Sequence, residues 1–187
     1  LPISKVAITA KANVMRYQIK EIHKLQREFR RLTLPDGYAQ KTPYITITDT
    51  AYPEENERFL AYVKDWITAS DYSEETKNLF TLCIINSLER CSYTAKSGQY
   101  LSWDSRSKKV IQANAARAEA GRKLLPQHHC RKVVERIQDA VSEELDHVLS
   151  DIQRIQSRRA IASTNASIDF RQNSALFELP QVSSHSL

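Results

Sequence analysis

Tyr100, Trp103 and Asp104 fall within five consecutive positions, and Arg106, Lys108 and Lys109 follow almost at once. Flat rings stack on bases and clustered cations neutralise phosphates, so the chemistry open to this combination is contact with a nucleic acid. Asp104 can anchor a backbone or an arginine such as Arg106, which would make the aromatic stretch an ordered turn. A second reading stays open. Large aromatics are usually core, so Tyr100 and Trp103 also fit a cover over the buried helix before them, with the basic run as a solvated face.

The distribution of charge bears on that choice. Between positions 105 and 132 the chain carries Arg106, Lys108, Lys109, Arg117, Arg122, Lys123, Arg131 and Lys132 against the single acid Glu119. That local excess is larger than the formal +5 of the whole 187-residue chain. Concentrated positive charge is the footprint of a polyanion partner, nucleic acid before membrane.

Other chemistries find less support. No glycine-rich phosphate loop, dinucleotide fingerprint or hydrolase elbow occurs in the sequence. His23, His128 and His129 lack the cysteine–histidine spacing of a zinc site, so no metal is expected. Glu143, Glu144, Asp146 and Asp151 fall on the solvated side of a helical pattern, and no catalytic residue is assigned. Cys83, Cys91 and Cys130 are odd in number, which implies a reducing, cytoplasmic setting. No apolar run approaches the roughly 20 residues that span a bilayer.

The elements that must position the aromatic stretch are mostly helical. Val6, Val14, Ile19, Ile22, Leu25, Phe29 and Leu32 recur at three- and four-residue spacing, which predicts a long amphipathic helix broken near Asn13. Phe59, Tyr62, Val63, Trp66 and Ile67 mark a second helix. Ser73 is a candidate N-cap for a third, whose Leu79, Phe80, Leu82, Cys83, Ile84 and Ile85 make it apolar nearly all round and hence central. The span 105–127 reads as a loop or an exposed helix. From His128 a stripe of Val134, Ile137, Val141, Leu145, Val148, Ile152 and Ile155 predicts a helix of about eight turns. Extended chain is expected only at 44–48 and 168–170. The expected class is therefore mainly α with minor β, divided into a helical core region, 1–104, and a basic and long-helix region, 105–187.

Three segments resemble a known family. "LERCSYTAKSGQYLSWDSRS" is similar to the "SYTRKDGQYLRWD" type of segment in site-specific DNA methyltransferases that act on adenine or a related amino group. "LPISKVAITAKANV" resembles the helix after their acidic second cofactor motif, and "IDFRQNSALFELPQVSSHSL" the strand and turn of the third. The resemblance implies S-adenosylmethionine as cofactor, DNA as partner, and an α/β Rossmann-like sheet completed outside this chain by the remainder of the methyltransferase. It implies that Asn173, Ser174 and Ala175 edge the cofactor pocket, although an acid is common where Asn173 and Ser174 stand. It assigns Tyr100, Trp103, Arg106, Lys108, Lys109, Arg117, Arg122 and Lys123 to DNA.

Neither the glycine-rich cofactor loop nor the catalytic Asp/Ser-Pro-Pro-Tyr motif is among the 187 residues. The expectation is an internal region, inactive alone. The alternatives are a non-enzymatic helical module that binds nucleic acid, and a helical scaffold whose stripe from Val134 to Ile155 pairs with a partner.

Overall fold

The computed structural model describes residues 2–12, 14–39, 50–97 and 100–161. The extended segments expected at 44–48 and 168–170 lie outside the described residues, as do Asn173, Ser174 and Ala175. Six helices and one hairpin make up the described chain: α1 (Pro2–Ala12), α2 (Ile19–Arg30), α3 (Glu54–Ala69), α4 (Glu74–Ser87), β1 (Thr94–Ser97), β2 (Tyr100–Trp103), α5 (Lys108–Glu119) and α6 (Ile137–Ile161).

The long amphipathic pattern at the start is broken where the sequence predicts, and the break is held from both sides. Tyr17 Oη donates to Ala10 O at 2.6 Å. From α6, the Gln156 amide donates to Val14 O and Tyr17 O. A second glutamine of α6, Gln138, donates to Phe29 O and Leu32 O, both at 2.9 Å, where the last turn of α2 leaves carbonyls without helical partners. One long helix thus satisfies loose backbone groups flanking both ends of α2.

Helix α4 begins as expected: Ser73 Oγ accepts from Thr76 N. Glu21 of α2 reinforces that start by accepting from Ser73 N and from the Ser73 and Thr76 hydroxyls. Helix α4 packs against α1 and α6, while α2 and α3 also meet α6. Leu25, Phe29, Val63, Phe80, Cys83, Val141 and Leu145 are buried together. Phe29 and Phe80 meet edge-on, with centroids 5.1 Å apart, the arrangement that suits the ring quadrupoles. A smaller cluster gathers Ala10, Tyr17, Ile22, Leu79, Leu149 and Ile152. Burial pushes the Cys83 and Cys91 thiols up to about 12, in keeping with small core residues rather than nucleophiles.

Three expectations need correction. The long helix starts at Ile137, not His128, and Val134 precedes it. Ile137, Val141, Leu145 and Ile152 of its stripe are buried in the chain's own core and the helix packs on α2 and α4, so the scaffold reading loses most of the face it needed. The sheet within the described residues lies in the aromatic stretch itself, where no strand was expected.

Asn56, buried within α3, fixes the start of α6. Its amide donates to Cys91 O and Glu135 O, and its Oδ1 accepts from Ile137 N at 3.2 Å. Truncation to alanine would leave a helix-initial N–H and two carbonyls without partners. Asn56→Ala is therefore expected to lower the unfolding free energy by about 2 kcal/mol. Urea unfolding measures this, and a change indistinguishable from wild type would contradict the assignment.

Candidate nucleic-acid interface

Strands β1 and β2 pair antiparallel with Thr94 opposite Trp103 and Ser97 opposite Tyr100. Gly98 and Gln99 fall between the paired ends and lie outside the described residues. A two-stranded hairpin is marginal by itself, so the groups that hold it decide whether it is ordered. Tyr93 N donates to Ala51 O, and Asp104 N donates to Tyr93 O. Arg131 reaches across to donate to Ser92 O and Thr94 O.

The anchor is Asp104, whose surface is fully buried. Its carboxylate accepts from Arg106 N at 3.0 Å, Arg106 Nε at 2.8 Å, Arg106 Nη2 at 2.7 Å and Cys130 N at 2.9 Å. The Arg106 guanidinium, helped by these backbone donors, holds the carboxyl far below the usual carboxylate range, against the opposing effect of burial. Arg106 is raised in turn by Asp104. The same guanidinium donates to Arg131 O and lies over the Tyr93 ring. Ser105 N donates to His128 O. One ion pair, buried on its carboxylate side, therefore fastens the hairpin exit, the start of α5 and the segment returning toward α6.

Helix α5 leaves this anchor with Ser107 as its N-cap, the Ser107 Oγ accepting from Val110 N. The first turn holds Lys108 and Lys109 and no acid, and none of the helix's residues is buried. Cations at the positive end of a helix are unfavourable unless an anion arrives there. Lys109 Nζ sits 4.3 Å from the Trp103 ring centroid, and Lys108 pairs with Glu54 at 3.2 Å. At the other end Gly121 adopts φ +62°, Gly121 N donates to Ala118 O, and Arg122 N donates to Arg117 O. That paired closure requires a residue in the left-handed region, which glycine takes without strain. Arg117 Nε then donates to Lys123 O, and Asn114 Oδ1 accepts from Leu125 N, so the chain turns back along the helix.

The aromatic pair divides between the two readings of the sequence. Tyr100 keeps 78% of its surface exposed, whereas Trp103 is half-buried beneath Lys109. Trp103, Asp104, Arg106 and Lys109 come together; Arg122 and Lys123 lie past the far end of α5, about 18 Å along the helix axis. Arg106 faces inward to its carboxylate. Sequence reasoning missed the role of the returning segment at Cys130 and Arg131, whose partners lie more than twenty positions away. The only local signal was the Asp104–Arg106 spacing.

Among the described residues no group of histidine, cysteine and acidic side chains could hold a metal ion, and no helix is long and apolar enough to cross a membrane.

No family model and no solved structure matches the chain. It is similar to the type II methyltransferase M.BsoBI of Geobacillus stearothermophilus, with 33% identity over 183 residues. The match takes in 97% of this chain and 35% of that relative. The chain is homologous to the type II methyltransferases. It is also similar to M.AvaI of Nostoc sp. and of Anabaena variabilis, with 37% identity over 108 residues, 48% of this chain and 21% of each relative. The methyltransferase resemblance carried by the aromatic stretch is borne out at this level, and the chain spans about a third of M.BsoBI's length.

The anchor makes a prediction with a definite sign. A carboxyl held low in the folded state contributes stability above its unfolded value and loses it as pH falls. Asp104→Asn is expected to cost about 3 kcal/mol at neutral pH by leaving Arg106 without its charge partner. The deficit should narrow below about pH 4, where the unfolded carboxyl takes up its proton. Thermal unfolding over a pH series checks this; a deficit that does not change with pH would count against an ionised Asp104.

Proposed function

We propose that this chain is the internal, mainly helical region of a site-specific DNA methyltransferase. The whole enzyme transfers a methyl group from S-adenosylmethionine to an exocyclic amino group of a DNA base, and it works in the cytoplasm. In this reading the doubly wound sheet that holds the cofactor is completed by the remainder of the methyltransferase chain. Asn173, Ser174 and Ala175 form an edge of that pocket. The catalytic Asp/Ser-Pro-Pro-Tyr motif is absent from these 187 residues, so this region alone is inactive.

The observation that carries the reading is an α5 with cations at both ends and an exposed tyrosine on the adjoining hairpin. Lys108 and Lys109 meet phosphates at the helix N-terminus, where the backbone N–H groups already favour an anion. Arg117, Arg122 and Lys123 extend the contact; the roughly 18 Å between the two ends is about half a turn of duplex. Arg106 acts at one remove by holding the hairpin and α5 in register, since Asp104 and backbone carbonyls occupy its guanidinium. Tyr100 stacks on a base, and Trp103 orients Lys109.

Binding of duplex DNA by the full chain should weaken steeply with salt. Lys108→Glu with Lys109→Glu should lower affinity for all sequences and reduce the salt slope by about 2. Tyr100→Ala should weaken binding by about 1–3 kcal/mol at every salt concentration while leaving the unfolding curve unchanged. Fluorescence anisotropy at several salt concentrations separates the two effects. Binding that is indifferent to salt and to the lysine reversals would sink the proposal.

A further inference from the structure

On another part of the surface, a cleft of about 590 Å³ opens between α2, the second half of α3 and the α3–α4 connection. Its walls are aromatic. Tyr38 and Tyr62 meet edge-on at 5.2 Å, and Trp66 meets Tyr72 at 6.3 Å. Two phenol hydroxyls are turned to carboxylates, Tyr38 to Asp65 and Tyr72 to Glu28, both at 2.6 Å. The cleft's hydrogen-bonding character is therefore set by acceptors. Ala69 and Ser70, at the C-terminal end of α3, also line it, and the last turn of α3 carries no basic residue to offset its carbonyls.

Four independent features favour a positive guest: ring faces, acceptor carboxylates, a helix C-terminus and a cation already resting on one wall. That cation is Lys24, whose Nζ sits 5.4 Å from the Tyr72 ring centroid. Glu21, Glu28, Asp65 and Asp71 line the cleft against this one ammonium, which pairs with Glu28 at 3.9 Å, so the lining is negative in a chain whose net charge is +5. A strongly hydrated metal ion is the wrong occupant: among the described residues no group of side chains forms a metal-ligand set. Aromatic faces bind best to weakly hydrated charge carried on carbon chains or planar guanidinium.

We propose that this cleft is a binding site for an organic cation of the alkylammonium or guanidinium class. The charged end lies against Asp65 and Asp71, and the alkyl stem lies along Trp66 and Tyr62. The inference stands apart from the DNA interface, because the cleft shares no residue with the hairpin or α5.

The chain has two tryptophans, so Trp103→Phe leaves Trp66 as the fluorescent reporter in the wall of the cleft. In that background spermidine and agmatine are expected to quench Trp66 saturably at low ionic strength, and a neutral diol of similar length is expected to do nothing. Asp65→Asn with Asp71→Asn should weaken the binding by about tenfold or more, while the amide oxygen introduced at position 65 can still accept from Tyr38. A short arginine-bearing peptide tests the second source of the same chemistry. Saturable binding of the free amines assigns the site to a small molecule, and binding of the peptide alone assigns it to a basic side chain. Equal quenching in the double variant, equal quenching by the diol, or no saturation with any of the cations overturns the proposal. Calorimetry on the same variants guards against quenching at a remote site, and their thermal unfolding establishes that the fold is kept.

Discussion

A buried carboxylate cannot be left without partners, and Asp104 is fully buried. An isolated charge in that position would be too costly to keep ionised. It survives because Arg106 and two backbone N–H groups surround it, and the geometry of that satisfaction arranges everything nearby. The donors come from the turn that starts α5 and from Cys130, which belongs to the segment running toward α6. To satisfy one acid, the chain must bring the hairpin exit, the basic helix and the return path together. The cations of α5 are held at fixed places by this requirement, since the helix buries none of its own residues.

A second set of contacts holds this unit to the helical body. Arg90, in the turn after α4, pairs with Glu135 and with Glu143 of α6. Asn56 joins α3 to the same region through Cys91, Glu135 and Ile137. The aromatic core beneath α3 and α4 sets the position of these groups, and polar contacts, rather than apolar packing, carry the order outward. That division suits a surface facing a charged partner, where large apolar faces would be left exposed.

How much of this was legible follows from the range of the forces involved. Helices α2, α3 and α4 were readable because burial on one face writes a three- and four-residue period into the chain, and Ser73 marks its own helix start. The hairpin was not readable. Its strands are four residues each, and the sequence "TAKS" has no alternation of apolar and polar types. The start of α6 was misplaced by nine residues, from His128 to Ile137, because Val134 happens to continue the stripe while Asn56, 81 positions away, supplies the acceptor at the true start. At the interface, residue types and their crowding were visible along the chain. The Asp104–Arg106 pairing was readable from its two-residue spacing, but the Cys130 and Arg131 contacts that hold the hairpin exit were not, because their partners are remote in sequence.

Hydrogen–deuterium exchange of the full chain, free and with a DNA duplex, tests the central claim most directly. If the Asp104 anchor makes the hairpin, α5 and the return segment one DNA-facing unit, DNA should slow exchange across residues 93–132 together and leave α1 unchanged. Protection confined to the helical core, or falling on α5 while the hairpin exchanges as before, would contradict that account.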